Sequence, residues 1–274
     1  MSPRCPEPEG SGKRVDAARL QAYRQGMTDP RLYCDQALSA GARLDLGKDE
    51  SHYLVSVMRR KPGDNVRLFN GKDGEWLASI MQADRKGAQL SVVQRLRPAQ
   101  GVPDLDLLFA PVKKARTDFI VEKATELGAR RIRPVLTHRT IADKVRIDRL
   151  AALAREAAEQ TERFDLPEIA GAEKLARVLD GWSPDRVLIF CDEAGDAAAM
   201  SDALRDVATL KAAILIGPEG GFTPEEREQI RAVPNALPVS LGPRILRADT
   251  AAAAALTLWQ SACGDWRGGA QPRE

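Results

Sequence analysis

From Asp104 onward the chain alternates short apolar runs with longer amphipathic ones, and that alternation admits few folds. Residues 105–110, 131–136, 186–190, 212–216 and 237–241 read as strands. Residues 117–127, 147–163, 173–179, 197–207, 224–232 and 250–262 read as helices. Strands that alternate with helices of this length build a parallel sheet covered on both faces, because each parallel crossover needs a helix to carry it. The expectation is therefore an α/β domain over residues 104–265.

The sharpest local signal lies in the fourth of those units. The run Ala212, Ala213, Ile214, Leu215, Ile216 is followed at once by Gly217, Pro218, Glu219, Gly220 and Gly221, and then by Phe222, Thr223, Pro224, Glu225 and Glu226. Glycines let the backbone turn sharply and approach a ligand closely. Thr223, Pro224 and Glu226 spell a helix start, with a threonine cap, a proline in the first helical position and a glutamate at the capping-box position. A strand, a glycine turn and a capped helix make a ligand loop at a strand's carboxyl end. The spacing matches neither the phosphate-binding P-loop nor the dinucleotide pattern, so ordinary nucleotide binding is not indicated. A second glycine turn follows about twenty residues on, where Leu241, Gly242, Pro243, Arg244, Ile245, Leu246 and Arg247 lead through Ala248 and Asp249 into an alanine-rich helix from Thr250. Two such turns at neighbouring strand ends are placed to wall one cleft.

Taken together, GPEGGFTPEE and LGPRILRADTA resemble the knotted SPOUT class of S-adenosylmethionine-dependent RNA methyltransferases, and within it the ribosomal RNA small subunit methyltransferase E family. Two more segments carry the likeness: residues 113–128, ending in EKATELG, and residues 155–160, reading REAAEQ. The resemblance runs from about Pro30 to Trp259. It implies a trefoil-knotted parallel-sheet methyltransferase domain, a PUA-like RNA-binding β-barrel before it, a homodimer, and methylation of N3 of a uridine in 16S rRNA, in the cytoplasm and within the 30S particle. The runner-up readings are a related enzyme acting on a ribose 2′-oxygen or a guanine nitrogen, and an RNA-binding assembly factor that has lost catalysis.

Residues 29–98 fit a small barrel. Residues 43–46 alternate, 75–81 and 89–96 look like strands, 50–58 is the one helix-like piece, and Gly63-Asp64 and Gly71–Gly74 are turn signals. Residues 1–28 are polar and have no counterpart in the resemblance; they read as a disordered extension, with Met27 close to the ancestral start. No apolar run approaches the ~20 residues that span a bilayer. The four cysteines stand far apart and the chain has only two histidines, so neither a disulfide framework nor a metal site is expected. The net charge of +2 hides an asymmetry: residues 111–150 carry 11 basic and 5 acidic groups, residues 151–274 carry 13 and 20. An isolated basic block is more often a solvated helix face than a nucleic-acid contact. Beside the resemblance, RNA contact is the better reading.

The resemblance also assigns residues. Three turns would clasp the cofactor: residues 191–195 with Asp192 and Glu193; Gly217, Pro218, Glu219, Gly220 and Gly221; and Leu241 to Arg247, with Gly242 and, beyond, Thr250. Ile216, Leu241, Ile245 and Leu246 would make an apolar adenine slot. N3 of uridine carries a proton that must leave, so the site needs orientation, charge stabilisation and a route for that proton. Arg247 is the first candidate for orientation and charge, and Asp249 for the base. Asp249 stands where the family commonly has glutamate, and caps or pairs equally well from that position. Glu219 either binds the cofactor or holds its turn. Arg31, Arg59, Arg60, Lys113, Lys114, Arg116 and Arg139 are candidate phosphate contacts. Arg163 is expected to face a partner subunit's active site, although Thr161 and Glu162 replace the family's small residues just before it.

Overall fold

The computed structural model describes residues 29–84, 87–141, 145–192, 197–207 and 211–268; the expectations for residues 1–28, Glu193 and Gly195 lie outside the described residues. The first domain is a mixed five-stranded sheet of β1 (Arg31–Tyr33), β2 (Arg43–Leu46), β3 (Asn65–Phe69), β4 (Glu75–Ala83) and β5 (Ala88–Arg97), in the order β1-β3-β4-β5-β2. It curls around Leu32, Leu44, Leu54, Val66, Leu68, Ile80, Leu90 and Val92. Gln36 Nε2 donates to Asp45 O across the side where β1 and β2 are not paired. The helical piece expected over residues 50–58 is a short helix α1 (Lys48–His52) that continues as one π-turn, Tyr53–Val57.

Sequence reading missed β1 and β3, and the reason is physical. Asn65–Phe69 is buried at four of its five positions, so its two faces show no polar alternation. One face meets the barrel core. The other presents Arg67 toward Glu162 of the second domain.

The second domain is a parallel sheet ordered β12-β10-β11-β6-β7-β8. Its elements are β6 (Leu105–Phe109), α2 (Lys114–Glu126), β7 (Arg131–Leu136), α3 (Ile147–Gln160), β8 (Glu168–Ile169), β9 (Glu173–Lys174), α4 (Leu175–Asp180), β10 (Val187–Cys191), α5 (Met200–Ala203), β11 (Ala212–Ile216), α6 (Pro224–Arg231), β12 (Ala236–Val239) and α7 (Ala248–Ala262). Strands β6 and β11 are buried at every position, as both faces of a parallel sheet require. On one face, Leu105, Leu107 and Phe109 pack against α2, α3 and α7; on the other, Leu108 and Leu188 pack with Leu175 and Val178 of α4 and Ile230 of α6.

Several boundaries differ from those read in sequence. The helix expected over 147–163 ends at Gln160, because Glu162 takes a left-handed φ of 60° and turns its carboxylate to Arg67 and Arg97. The helix expected from 173 starts at Leu175, since Glu173–Lys174 pairs with β7. The last strand ends at Val239, which frees Ser240 and Leu241 to wall a cavity. The alanine-rich helix expected from Thr250, α7, packs into the core of this chain: Ala251, Ala252, Ala255, Leu256 and Trp259 are buried in it.

Candidate active site

The glycine turn after β11 is held from several directions. Gly217 has no room for a side chain, because a Cβ there would lie 2.8 Å from the Phe222 ring. Gly221, with φ of 66°, donates its N–H to Pro218 O at 2.9 Å. The capping box read from sequence is present: Thr223 Oγ1 accepts from Glu226 N at 3.2 Å, and Glu226 Oε2 accepts from Thr223 N at 3.0 Å. Glu226 also accepts from His138 N, and Arg139 Nη1 donates to Gly220 O at 2.6 Å. The loop after β7 is thereby tied to the glycine turn.

Opposite stands the loop from Ser240 to Arg247. Gly242 adopts φ of +114°, which a side chain disfavours, and Ser240 Oγ accepts its N–H. Arg247 is the N-cap residue of α7. Between these two walls lies a cavity of about 330 Å³. Ile216, Val239, Leu241, Leu246 and Ala251 give it apolar sides, while Gly217 to Glu219 and Gly242 bring backbone to its edge. A mostly apolar cleft of a few hundred Å³ with backbone donors and acceptors suits a small heteroaromatic cofactor. The residues present fit S-adenosylmethionine.

A second, larger cavity of about 870 Å³ opens beside the first. It runs along Pro111 and Val112, the first turn of α2 (Lys113, Lys114, Arg116, Thr117, Asp118), Ile141 and Val145, and the start of α3 (Arg146, Arg149, Leu150). Five cationic side chains line it against the carboxylates of Asp118 and Glu219. Arg149 is already bound in a two-pronged pair with Asp118. Lys113 and Lys114 stand exposed at the rim. Glu219 is the one described residue that lines both cavities, and Arg116 Nη1 reaches its Oε1 at 3.2 Å.

The structure brings together Asp192, Ile216, Gly217, Pro218, Glu219, Leu241, Gly242, Ile245, Leu246 and Arg247 around the smaller cavity, although Ile245 is 87% exposed at its lip. Asp192 is buried and its carboxylate is committed to Arg227 at 2.8 Å and Arg231 at 2.7 Å, so it holds α6 in place. Gly220 and Gly221 line a separate pocket of about 220 Å³ with Arg139 and Arg227. Asp249 and Thr250 line neither of the two larger cavities; Asp249 Oδ1 accepts the Thr250 N–H within the first turn of α7. The base expected at Asp249 is thus not brought to the cleft in this chain.

Two of the RNA contacts read from sequence are corrected. Arg31 is buried: Nε pairs with Glu75 at 2.6 Å, and Nη1 and Nη2 donate to Ala158 O and Arg163 O. Arg163 is buried too, bound to Asp165 and donating to Thr125 O. The Arg31 guanidinium joins the two domains, whereas that of Arg163 is held within the second. Arg59, at φ of 54°, and Arg139 are exposed, and Arg60 is half-buried. Sequence reading missed Arg146, Arg149, Ser240 and Ala251; the first two lay within the basic block already counted, whereas Ser240 and Ala251 carry no chemical signature.

A family profile described as an RNA methyltransferase domain matches residues 100–260, and one described as an RNA methyltransferase PUA domain matches residues 46–93. The ribosomal RNA small subunit methyltransferase E of Rickettsia conorii is 32% identical over 231 residues, covering 82% of this chain and 93% of its own. The chain belongs to this family. The enzyme of the same name from Synechocystis is 31% identical and shares 78% of this chain and 72% of its own. Among solved structures, the Neisseria gonorrhoeae family enzyme bound to S-adenosyl methionine superposes with a TM-score of 0.79 at 28% identity, covering 87% of this chain and 99% of that one. A Legionella pneumophila methyltransferase, also holding that cofactor, gives 0.78 at 28% identity, with 86% and 99% covered. The PUA-like domain and the methyltransferase domain expected from sequence are therefore both present.

Proposed function

We propose that this protein transfers a methyl group from S-adenosylmethionine to N3 of a uridine in 16S ribosomal RNA, acting on the assembled 30S particle in the cytoplasm, as a homodimer. Family membership makes it an RNA methyltransferase, and the relatives named for ribosomal RNA support that substrate. The observation that carries the reading is the meeting of two cavities at Glu219: an apolar, backbone-edged cleft on one side and a groove of five cations on the other. A cofactor that supplies a methyl sulfonium suits the first, with Gly217, Leu241 and Leu246 against its apolar part and Arg247 at the mouth. The phosphates around a flipped-out base suit the second, where Lys113, Lys114 and Arg146 offer the cationic contacts on which nucleic-acid affinity depends. Arg139, held at the glycine turn beside Glu219, offers a further exposed cation.

The test is to incubate the protein and S-adenosylmethionine with small ribosomal subunits lacking the modification, then to digest their rRNA and analyse the nucleosides by mass spectrometry. A 3-methyluridine product supports the reading. A 2′-O-methylated nucleoside or a methylguanosine reassigns the acceptor atom, and no product with intact cofactor binding favours an assembly factor.

A further inference from the structure

We propose that Arg116, steadied by Glu219, is the residue that engages the target base itself and stabilises its negative charge. The inference rests on the reading of this chain as a methyltransferase for a uracil ring nitrogen.

Position is the first argument. Glu219 sits where the two cavities meet, and Arg116 is the cation it holds there. The pair is 31% and 37% exposed. An ion pair this open contributes little to stability, yet it links the first turn of α2 to the glycine turn after β11. Its value is in placement.

The other cations are spent or stand elsewhere. Arg149 is clamped by Asp118, Lys113, Lys114 and Arg146 lie at the exposed rim, and Arg244 and Arg247 line the cofactor cavity but not the groove. Arg139 is turned to the carbonyl of Gly220. Arg116 uses one Nη1 proton on Glu219, which leaves the rest of its fork for a ligand in the groove.

The chemistry asks for that fork. A uracil ring nitrogen lies between two carbonyls, and losing its proton spreads charge onto both oxygens. A guanidinium donating to one carbonyl oxygen favours the charged form and lowers the pKa of the N–H. The proton leaves to solvent, the nitrogen lone pair forms the new N–C bond, and the electrons of the broken C–S bond remain on sulfur. No carboxylate base is needed at Asp249. Glu219 acts through Arg116 as a positioning residue.

The test compares wild type with Arg116→Ala, Arg116→Lys and Glu219→Gln. Affinity for S-adenosylmethionine is measured by calorimetry, and steady-state methylation of unmodified small subunits is followed across pH. Arg116→Ala should bind cofactor as wild type does, which also shows that it folds. Its kcat should fall by about 100-fold, the usual loss on removing one donor to a developing anion. KM for the particle should change little. The deficit should shrink as pH rises, because the ring nitrogen then ionises without help. Arg116→Lys keeps the charge but loses the fork, and should fall between the two. Glu219→Gln should lower kcat less than Arg116→Ala, with a pH profile displaced in the same direction. A rise in KM alone would make Arg116 an ordinary phosphate contact and overturn the proposal. So would loss of cofactor affinity, or an unshifted pH profile. A wild type that binds cofactor yet makes no 3-methyluridine defeats the underlying reading first.

Discussion

Ala251 is a plain residue in a decisive place. It is 9% exposed, it faces the core on one side, and on the other it forms part of the cofactor cavity wall. Enlarging it to leucine adds three carbons to a space of about 330 Å³. Because its position borders a void, the added bulk can extend into the cavity without forcing the core apart, as it would in a close-packed interior. Ala251→Leu is expected to keep its unfolding midpoint near that of wild type and to lose cofactor binding by at least tenfold in calorimetry. A variant that binds normally would place the cofactor elsewhere. Gly220, although part of the glycine turn, lines the neighbouring pocket, where an added Cβ would stand 3.4 Å from Arg139 Cδ.

At the level of elements, what sequence revealed was what local chemistry dictates. The start of α6 is an instance: Thr223, Pro224 and Glu226 have few alternatives once they stand together, and the structure forms their capping box. Thr223→Ala should cost about 1 kcal/mol of stability, typical of a lost N-cap, read by denaturant unfolding. It should also weaken cofactor binding, since the same cap anchors the turn between Gly217 and Gly221. What sequence concealed was what the tertiary environment dictates. Strand β3 lost its alternation to burial on both faces, and α3 ended early because Glu162 turned toward two arginines of the other domain. The end of α3 carries a pH signature of its own. Burial pushes Glu159 above its ordinary value of 4.5, only partly offset by the Tyr33 N–H, Arg155 and Arg31. Glu162, burdened by burial as well, is drawn below 4.5 overall by Arg97 and Arg67. A raised carboxylate stabilises the fold below its unfolded pKa and loses that contribution as pH rises through the folded value. A depressed one stabilises above the unfolded value and loses it as pH falls. Glu159→Gln should therefore gain on wild type at neutral pH and Glu162→Gln should lose, both differences fading in acid below 4.5. Unfolding midpoints at neutral and acid pH read both.

For the whole molecule, the question is how a small barrel and a large α/β domain become one body. The answer lies in Glu75, 1% exposed, which pairs with Arg31 at 2.6 Å and Arg97 at 2.7 Å and lies 3.7 Å from Arg67. These four residues belong to the barrel, but their outer atoms do not. Arg31 donates to the carbonyls of Ala158 and Arg163, while Arg67 and Arg97 pair with Glu162, all at the end of α3. The cluster is thus shared property of both domains. No sequence pattern distinguishes such an arginine from an RNA contact, so Arg31 and Arg163 read as RNA contacts although both are buried, whereas Arg59 and Lys113 are exposed. Removing Glu75 leaves buried guanidiniums without their counter-charge, a change that costs about 3–5 kcal/mol in comparable buried pairs. The loss should be uneven. Within the large domain, β6, β10 and β11 keep their own two-sided core, so Glu75→Ala should free the barrel from α3 before the parallel sheet opens. Hydrogen exchange followed by mass spectrometry should show amides of β1, β3 and β4 exchanging much faster than in wild type, with those of β6 and β11 nearly unchanged. Uniform acceleration across both domains would instead mean that the two unfold as a single cooperative unit. In that case the cluster sets the stability of the parallel sheet as much as that of the barrel.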